Sequence, residues 1–180
     1  MSSPDFHIYY WAGIGVAAIK YGIEVQRISI GDENGLDGEA VLEPIGKWCS
    51  LNVGLDYFRA MQVECYATTL LAGSAASFIR VQDQRCHLKR SLGDAGLEMK
   101  FLRAVWQCLQ REPDRAVSII CGSLGEYDDG DIEATTRRLW NRAVRLLRGD
   151  VAYQQLKSLA NQLMTVKQMT GEEICRLLKA

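Results

Sequence analysis

One segment constrains this fold most. It is a run of small and apolar residues that leads through a glycine into a segment in which apolar and polar residues alternate. The run reads "YYWAGIGVAAIKYGIEVQRISI" over residues 9–30. Its continuous apolar part, residues 8–19, is too short to span a bilayer and is typical of a buried helix. We predict a helix over 4–21 that ends at Gly22. The alternation over 23–30 predicts a half-buried strand, although it slips at residues 26–27.

The rest of the chain is mostly helical in pattern. The turn cluster "GDENGLDG" and the following "EAVLEPI" predict a hairpin, which gives a small sheet over 23–45. The remainder, 57–180, is predicted to be helical, with an exposed basic loop over 81–93. The predicted helices are 57–80, 94–111, 114–121, 132–147, 151–164 and 174–178. The sequence therefore predicts a mainly α (α+β) fold with a small N-terminal β-hairpin, in a single domain over 1–180.

Helix boundaries carry local signals of their own. Asp131 and Asp150 each precede a helical pattern and are predicted N-caps. Thr170 and Glu173 have the spacing of a capping box. The small-residue patch "LLAGSAAS" in the helix over 57–80 predicts close packing against another helix.

Composition excludes several classes of function. The net charge of −1 does not favour nucleic acid as a partner. The N-terminal "MSSPDF" lacks the basic region of a signal peptide, so we expect a cytoplasmic protein without a membrane span. Six cysteines without a CxxC pair are expected to be reduced thiols. No GxxxxGK[ST] motif and no cofactor motif is present, so no cofactor is expected.

The order of these segments resembles the proteolytic domain of FtsH-type zinc metallopeptidases. In that family the first helix carries HEAGH, whose two histidines bind zinc and whose glutamate is the general base. Here Tyr10-Trp11-Ala12-Gly13-Ile14 takes that place, and Gly22 and "IEVQRISI" follow as in the family. "GLDGEAVLEP", "LLAGSAASF" and the C-terminal "GEEICRLL" resemble later family segments. The resemblance covers nearly the whole chain and implies a helical peptidase-like fold.

The positions that would perform the chemistry are replaced. Tyr10 and Ile14 stand where the family has its histidines, and Trp11 stands where it has the glutamate. The family's third, carboxylate ligand falls on Gly96, or on Asp94 if the register is shifted. A catalytic zinc site needs three protein ligands. The resemblance therefore implies a lost zinc site, and no metal is expected.

A rebuilt site would have to use the few remaining ligand types. His7 lies one turn before Tyr10, and Cys86 and His87 are neighbours in the basic loop. Together with Asp94 these side chains are good ligand types for zinc, but their spacing matches no known ligand pattern. Cys86 beside His87 is also the only adjacent nucleophile and base pair, although sequence neighbours rarely have the required geometry.

Three functional interpretations follow. The first is a non-catalytic pseudo-peptidase that binds a protein or peptide, or regulates a partner, through a remnant cleft. Its expected binding residues are Tyr10, Trp11, Leu36, Val41 and Leu42. The second is a metal-dependent hydrolase with an unconventional site. The third is an interaction module that docks through the arginine-rich helix, with Arg138, Arg142 and Arg145 as contacts. Formation of a homo-oligomer is compatible with each.

Overall fold

The described residues form a helical assembly with one small sheet. The computed structural model describes residues 5–31, 38–45, 56–86, 118–119 and 129–179. Its elements are α1 (Asp5–Tyr21), β1 (Val25–Ser29), β2 (Glu39–Leu42), α2 (Asp56–Cys86), α3 (Asp129–Arg148), α4 (Asp150–Val166), β3 (Gln168–Thr170) and α5 (Gly171–Lys179). The predicted mainly α fold with a small N-terminal hairpin is confirmed. Its assignment to the FtsH-type peptidase fold stays a prediction.

Helix α1 is the buried centre of this assembly. Every residue from 7 to 18 is buried, because α1 contacts α2, α3 and α4 as well as the sheet. Small residues allow α1 and α2 to approach closely. A Cβ on Gly13 would lie 2.5 Å from both the carbonyl oxygen of Ala72 and the Cβ of Ala76. The predicted close packing of the "LLAGSAAS" patch against another helix is therefore confirmed.

The end of α1 has the geometry that its sequence predicts. Gly22 adopts a left-handed conformation with φ +70°, which only glycine adopts without strain. Its N–H donates to the carbonyl of Ile19 at 3.2 Å, and the N–H of Ile23 donates to the carbonyl of Ala18 at 2.9 Å. These two bonds form a Schellman motif, which satisfies the last carbonyls of α1 and directs the chain into β1.

The sheet contains one strand more than the predicted hairpin. The strand order is β2-β1-β3, and both pairs are antiparallel. The predicted strand over 23–30 is observed as β1, with a register shift between Val25 and Arg27 where the sequence alternation slips. This shift has the character of a β-bulge, which places one extra residue on β1. The three-residue β3 comes from the C-terminal part of the chain and was not predicted.

Helix α2 extends further than the sequence predicts. The exposed loop expected from residue 81 is wrong for residues 81–86, which continue the helix to Cys86. Side chains distant in sequence fix this extension. Arg148 donates to the side-chain oxygen of Gln82, and Tyr153 donates to the carboxylate of Asp83. Burial, together with this carboxylate, raises the pKa of Tyr153 to about 12.

The C-terminal helices have the predicted order with adjusted boundaries. Helix α3 begins at Asp129, so the predicted N-cap Asp131 lies inside it. The predicted cap Asp150 is also wrong, because extended Gly149 is the N-cap of α4 and supplies no side-chain hydrogen bond. The capping box of α5 is confirmed. The Thr170 N–H donates to Glu173 Oε2 at 2.8 Å, and the Glu173 N–H donates to Thr170 Oγ1 at 3.4 Å.

Several predicted segments lie outside the described residues. These are most of the turn that follows β1, the predicted loop over 87–93, the helix over 94–111 and all of the 114–121 helix except residues 118–119, which are helical. Among the helices that are described, none combines the length and the apolar character needed to cross a membrane.

Candidate functional site

The three α1 positions that resemble a zinc motif lie in the protein interior. Tyr10 is 1% exposed, Trp11 is 7% exposed and Ile14 is 0% exposed. They belong to the same hydrophobic core as the facing residues of α2. These side chains are therefore packed, and none of them lines an open site.

Two glycines beside these side chains leave room for them. A Cβ on Gly73 of α2 would lie 2.8 Å from the Tyr10 ring and 3.0 Å from Ile14. The rings of Tyr10 and Trp11 meet edge to face with centroids 4.8 Å apart. A Cβ on Gly38, just before β2, would overlap the indole of Trp11. Trp11 thus packs directly beneath the beginning of β2.

The other candidate ligands are only partly placed. His7 is buried, and its ring lies 3.6 Å from the ring of Phe6. His87, Asp94 and Gly96 lie outside the described residues, as do Leu36 and the side chain of Cys86. Within the described part of the chain, no three His, Cys, Asp or Glu side chains come together as a metal site would require. The rebuilt metal site stays a prediction.

Strand β2 is an edge of the sheet. The N–H of Glu43 donates to the carbonyl of Glu24 at 2.8 Å, so the backbone of residue 43 points toward the β1 side. Because successive residues of a strand point their backbone groups to opposite sides, Val41 also faces β1, whereas Ala40 and Leu42 face away. No described strand pairs with this outer side of β2.

The edge strand is held firmly at its end. Tyr66 of α2 donates its hydroxyl hydrogen to the carbonyl oxygen of Glu43 at 3.0 Å, and this bond is buried. On the exposed face, the guanidinium of Arg27 binds the carboxylate of Glu39 at 2.8 Å. The outer backbone groups of β2 are therefore presented by a strand that is fixed on its inner side.

The two faces of the sheet differ in character. The register places Glu39 and Val41 of β2 on the face of Arg27, which is exposed. Ala40 pairs with buried Ile28 on the opposite face, toward the core. Ala40 and Val41 are both half-buried, so the edge combines open backbone groups with modest apolar surface.

The arginines expected to dock a partner divide into two groups. Arg138 forms a two-pronged ion pair with Glu64 of α2, with N–O distances of 2.6 and 3.1 Å. Arg142 lies 3.7 Å from the same carboxylate and donates to the Cys65 sulfur at 3.5 Å. Arg145 is exposed and has no ionic partner among the described residues. Arg138 and Arg142 therefore join α3 to α2.

The ionisation of this cluster follows from its contacts. The hydrogen bonds from Arg138 lower the pKa of Glu64. Burial raises the pKa of the Cys65 thiol and also that of Tyr21, whose ring lies 5.1 Å from the Arg142 guanidinium. Since a thiolate is the reactive form of cysteine, Cys65 is not an activated nucleophile.

Comparison with known proteins does not name a relative. No protein-family model and no curated protein matches this chain. The resemblance to FtsH-type peptidases therefore depends on the segments quoted above. Three residues that shape the candidate site, Gly38, Tyr66 and Gly73, were not predicted from the sequence. A glycine before a strand and a glycine inside a helix were the available signals for Gly38 and Gly73.

Proposed function

We propose that this chain is a non-catalytic, peptidase-like domain that binds an extended segment of a protein or peptide at the outer edge of β2. The observation that carries this proposal is the position of β2 as a sheet edge directly above Trp11. Extended peptides commonly bind by adding a strand to such an edge, where main-chain hydrogen bonds provide affinity.

The absence of catalysis in this proposal is based on residue chemistry. Tyr10, Trp11 and Ile14 occupy the positions that resemble the zinc motif, and all three are buried among apolar neighbours. Isoleucine has no ligand atom, and the indole of tryptophan cannot act as a general base.

The binding mode follows from the backbone directions of β2. An added strand would exchange hydrogen bonds with the N–H and C=O groups of Ala40 and Leu42. Its side chains would lie alternately beside Glu39 and Val41 on the exposed face and beside Ala40 on the inner face. In this arrangement Tyr10 and Trp11 support the strand from below, and Val41 contacts the ligand directly.

A proline pair tests this proposal. Ala40→Pro removes an N–H that faces the open edge, whereas Val41→Pro removes one that faces β1. Peptides would first be selected from a library of random unstructured sequences on the wild-type protein. We expect Ala40→Pro to abolish their binding while the chain melts close to the wild type, and Val41→Pro to destabilise the fold. Peptide binding that survives Ala40→Pro in a folded chain would exclude the β2 edge.

The same peptides distinguish binding from hydrolysis. After incubation with the protein and zinc, mass spectrometry should recover each selected peptide intact. Cleavage that requires His7 or His87 would instead favour the interpretation as a metal-dependent hydrolase.

A further inference from the structure

A basic stripe runs along the exposed side of α3. We define the arginine stripe as Arg137, Arg145 and Arg148, together with Asn141 between them. At 3.6 residues per turn these four positions fall within a sector of about 80° and extend over about 16 Å. All four residues are exposed.

The charges of the stripe are only weakly compensated by the described residues. Arg137 pairs with Glu133 at 2.8 Å, but both side chains are more than half exposed, and such pairs contribute little. Arg148 donates to the neutral amide oxygen of Gln82, so its positive charge is not neutralised. Arg145 has no ionic partner among the described residues. This differs from Arg138, whose guanidinium is already occupied by Glu64.

Acidic residues limit the stripe at both ends. Asp131 and Glu133 precede it within α3, and Asp150 follows it in the first turn of α4. A nucleic acid that continued along the helix axis would meet these carboxylates beyond either end. A short acidic segment could lie along the stripe and end before Asp131 and Asp150, and arginine binds carboxylates through paired N–H donors.

From this charge pattern we infer that the arginine stripe is a second docking surface, which binds an acidic helical segment of a protein partner. A partner helix with glutamates at positions i, i+4, i+8 and i+11 repeats the spacing of the stripe. The surface is separate from the β2 edge and does not depend on peptide binding there. Arg145 is shared with the docking residues predicted from the sequence, whereas the guanidinium groups of Arg138 and Arg142 lie against Glu64 of α2.

The test uses a synthetic helical peptide with glutamates at that spacing, and an isomer of the same composition with scrambled spacing. Binding to the full chain is measured by fluorescence anisotropy at low salt. We expect the triple variant Arg137→Gln/Arg145→Gln/Arg148→Gln to bind the spaced peptide at least about tenfold more weakly than the wild type. Exposed Arg176 of α5 provides the matched control, so Arg176→Gln should bind like the wild type.

Each remaining outcome supports or overturns the inference. Binding should weaken on raising the salt from about 50 to about 500 mM, and the scrambled isomer should bind less tightly than the spaced peptide. Ala40→Pro should leave this binding unchanged, which separates it from the β2 site. The inference is overturned if the spaced peptide does not bind, if Arg176→Gln weakens it equally, or if a single-stranded oligonucleotide binds more tightly. Thermal melting of each variant shows that it remains folded.

Discussion

Replacing Trp11 by glutamate is expected to remove most of the stability of the fold. Trp11 is 7% exposed and packs against Tyr10 and Gly38. Truncating a buried tryptophan costs about 3–5 kcal/mol. A buried carboxylate without a partner adds about 2–4 kcal/mol at neutral pH, since burial raises its pKa. The sum, about 5–9 kcal/mol, is comparable with the whole stability of a typical domain.

Urea unfolding at several pH values measures this loss. A carboxylate with a raised pKa binds its proton more tightly in the folded state, so the deficit of Trp11→Glu should shrink as the pH falls from 7 to 5. Trp11→Phe should lower the free energy of unfolding far less. Lys20 lies at an exposed position of the same helix, and Lys20→Glu should lower it by under about 1 kcal/mol. A Trp11→Glu chain as stable as Lys20→Glu, with no pH dependence, would show that residue 11 faces an open cleft.

Three further changes have defined expectations. Gly22→Ala should lower the free energy of unfolding by about 1–2 kcal/mol, because φ at residue 22 is +70°. Gly149→Ser should raise it by only about 0.2–0.5 kcal/mol by capping α4, and equal effects in thermal melts would refute this. Arg138 lowers the pKa of Glu64, so the stability that this ion pair contributes is fully present above pH 4.5 and is lost as the pH falls through the lowered pKa. In urea unfolding, Glu64→Gln should therefore show a smaller loss of stability on acidification than the wild type. Dialysis against zinc and elemental analysis should find no stoichiometric metal, and one zinc per chain that is lost in His7→Ala would contradict the account.

The sequence predicted those parts of the fold that are determined by residues close together along the chain. The end of α1 at Gly22 and the capping box of Thr170 and Glu173 depend on neighbouring residues only, and both are present in the structure. The slip in the alternation of β1 corresponds to its register shift. The small-residue patch of α2 indicated close packing against another helix, because a missing side chain is visible in the sequence itself, and the structure shows that this helix is α1.

Features that depend on distant residues could not be predicted in this way. Met169 lies in a strand only because β3 pairs with β1 from the far end of the chain. The last turn of α2 is helical where Asp83 meets Tyr153, and no local pattern shows that contact. Arg138 and Arg145 look equivalent in the sequence, but only Arg138 finds a carboxylate on α2. The sequence therefore predicted strand β2, but it did not show that Tyr10 and Trp11 are buried beside it or that Tyr66 binds its end.

Hydrogen exchange at individual amides of β2 tests the central claim most directly. We expect the amides of Ala40 and Leu42 to exchange rapidly in the free chain and slowly when a selected peptide saturates the protein. The amide of Val41, which faces β1, should stay protected in both states. If Ala40 and Leu42 are already protected in the free chain, or if the peptide leaves their exchange unchanged, the proposed binding edge is contradicted.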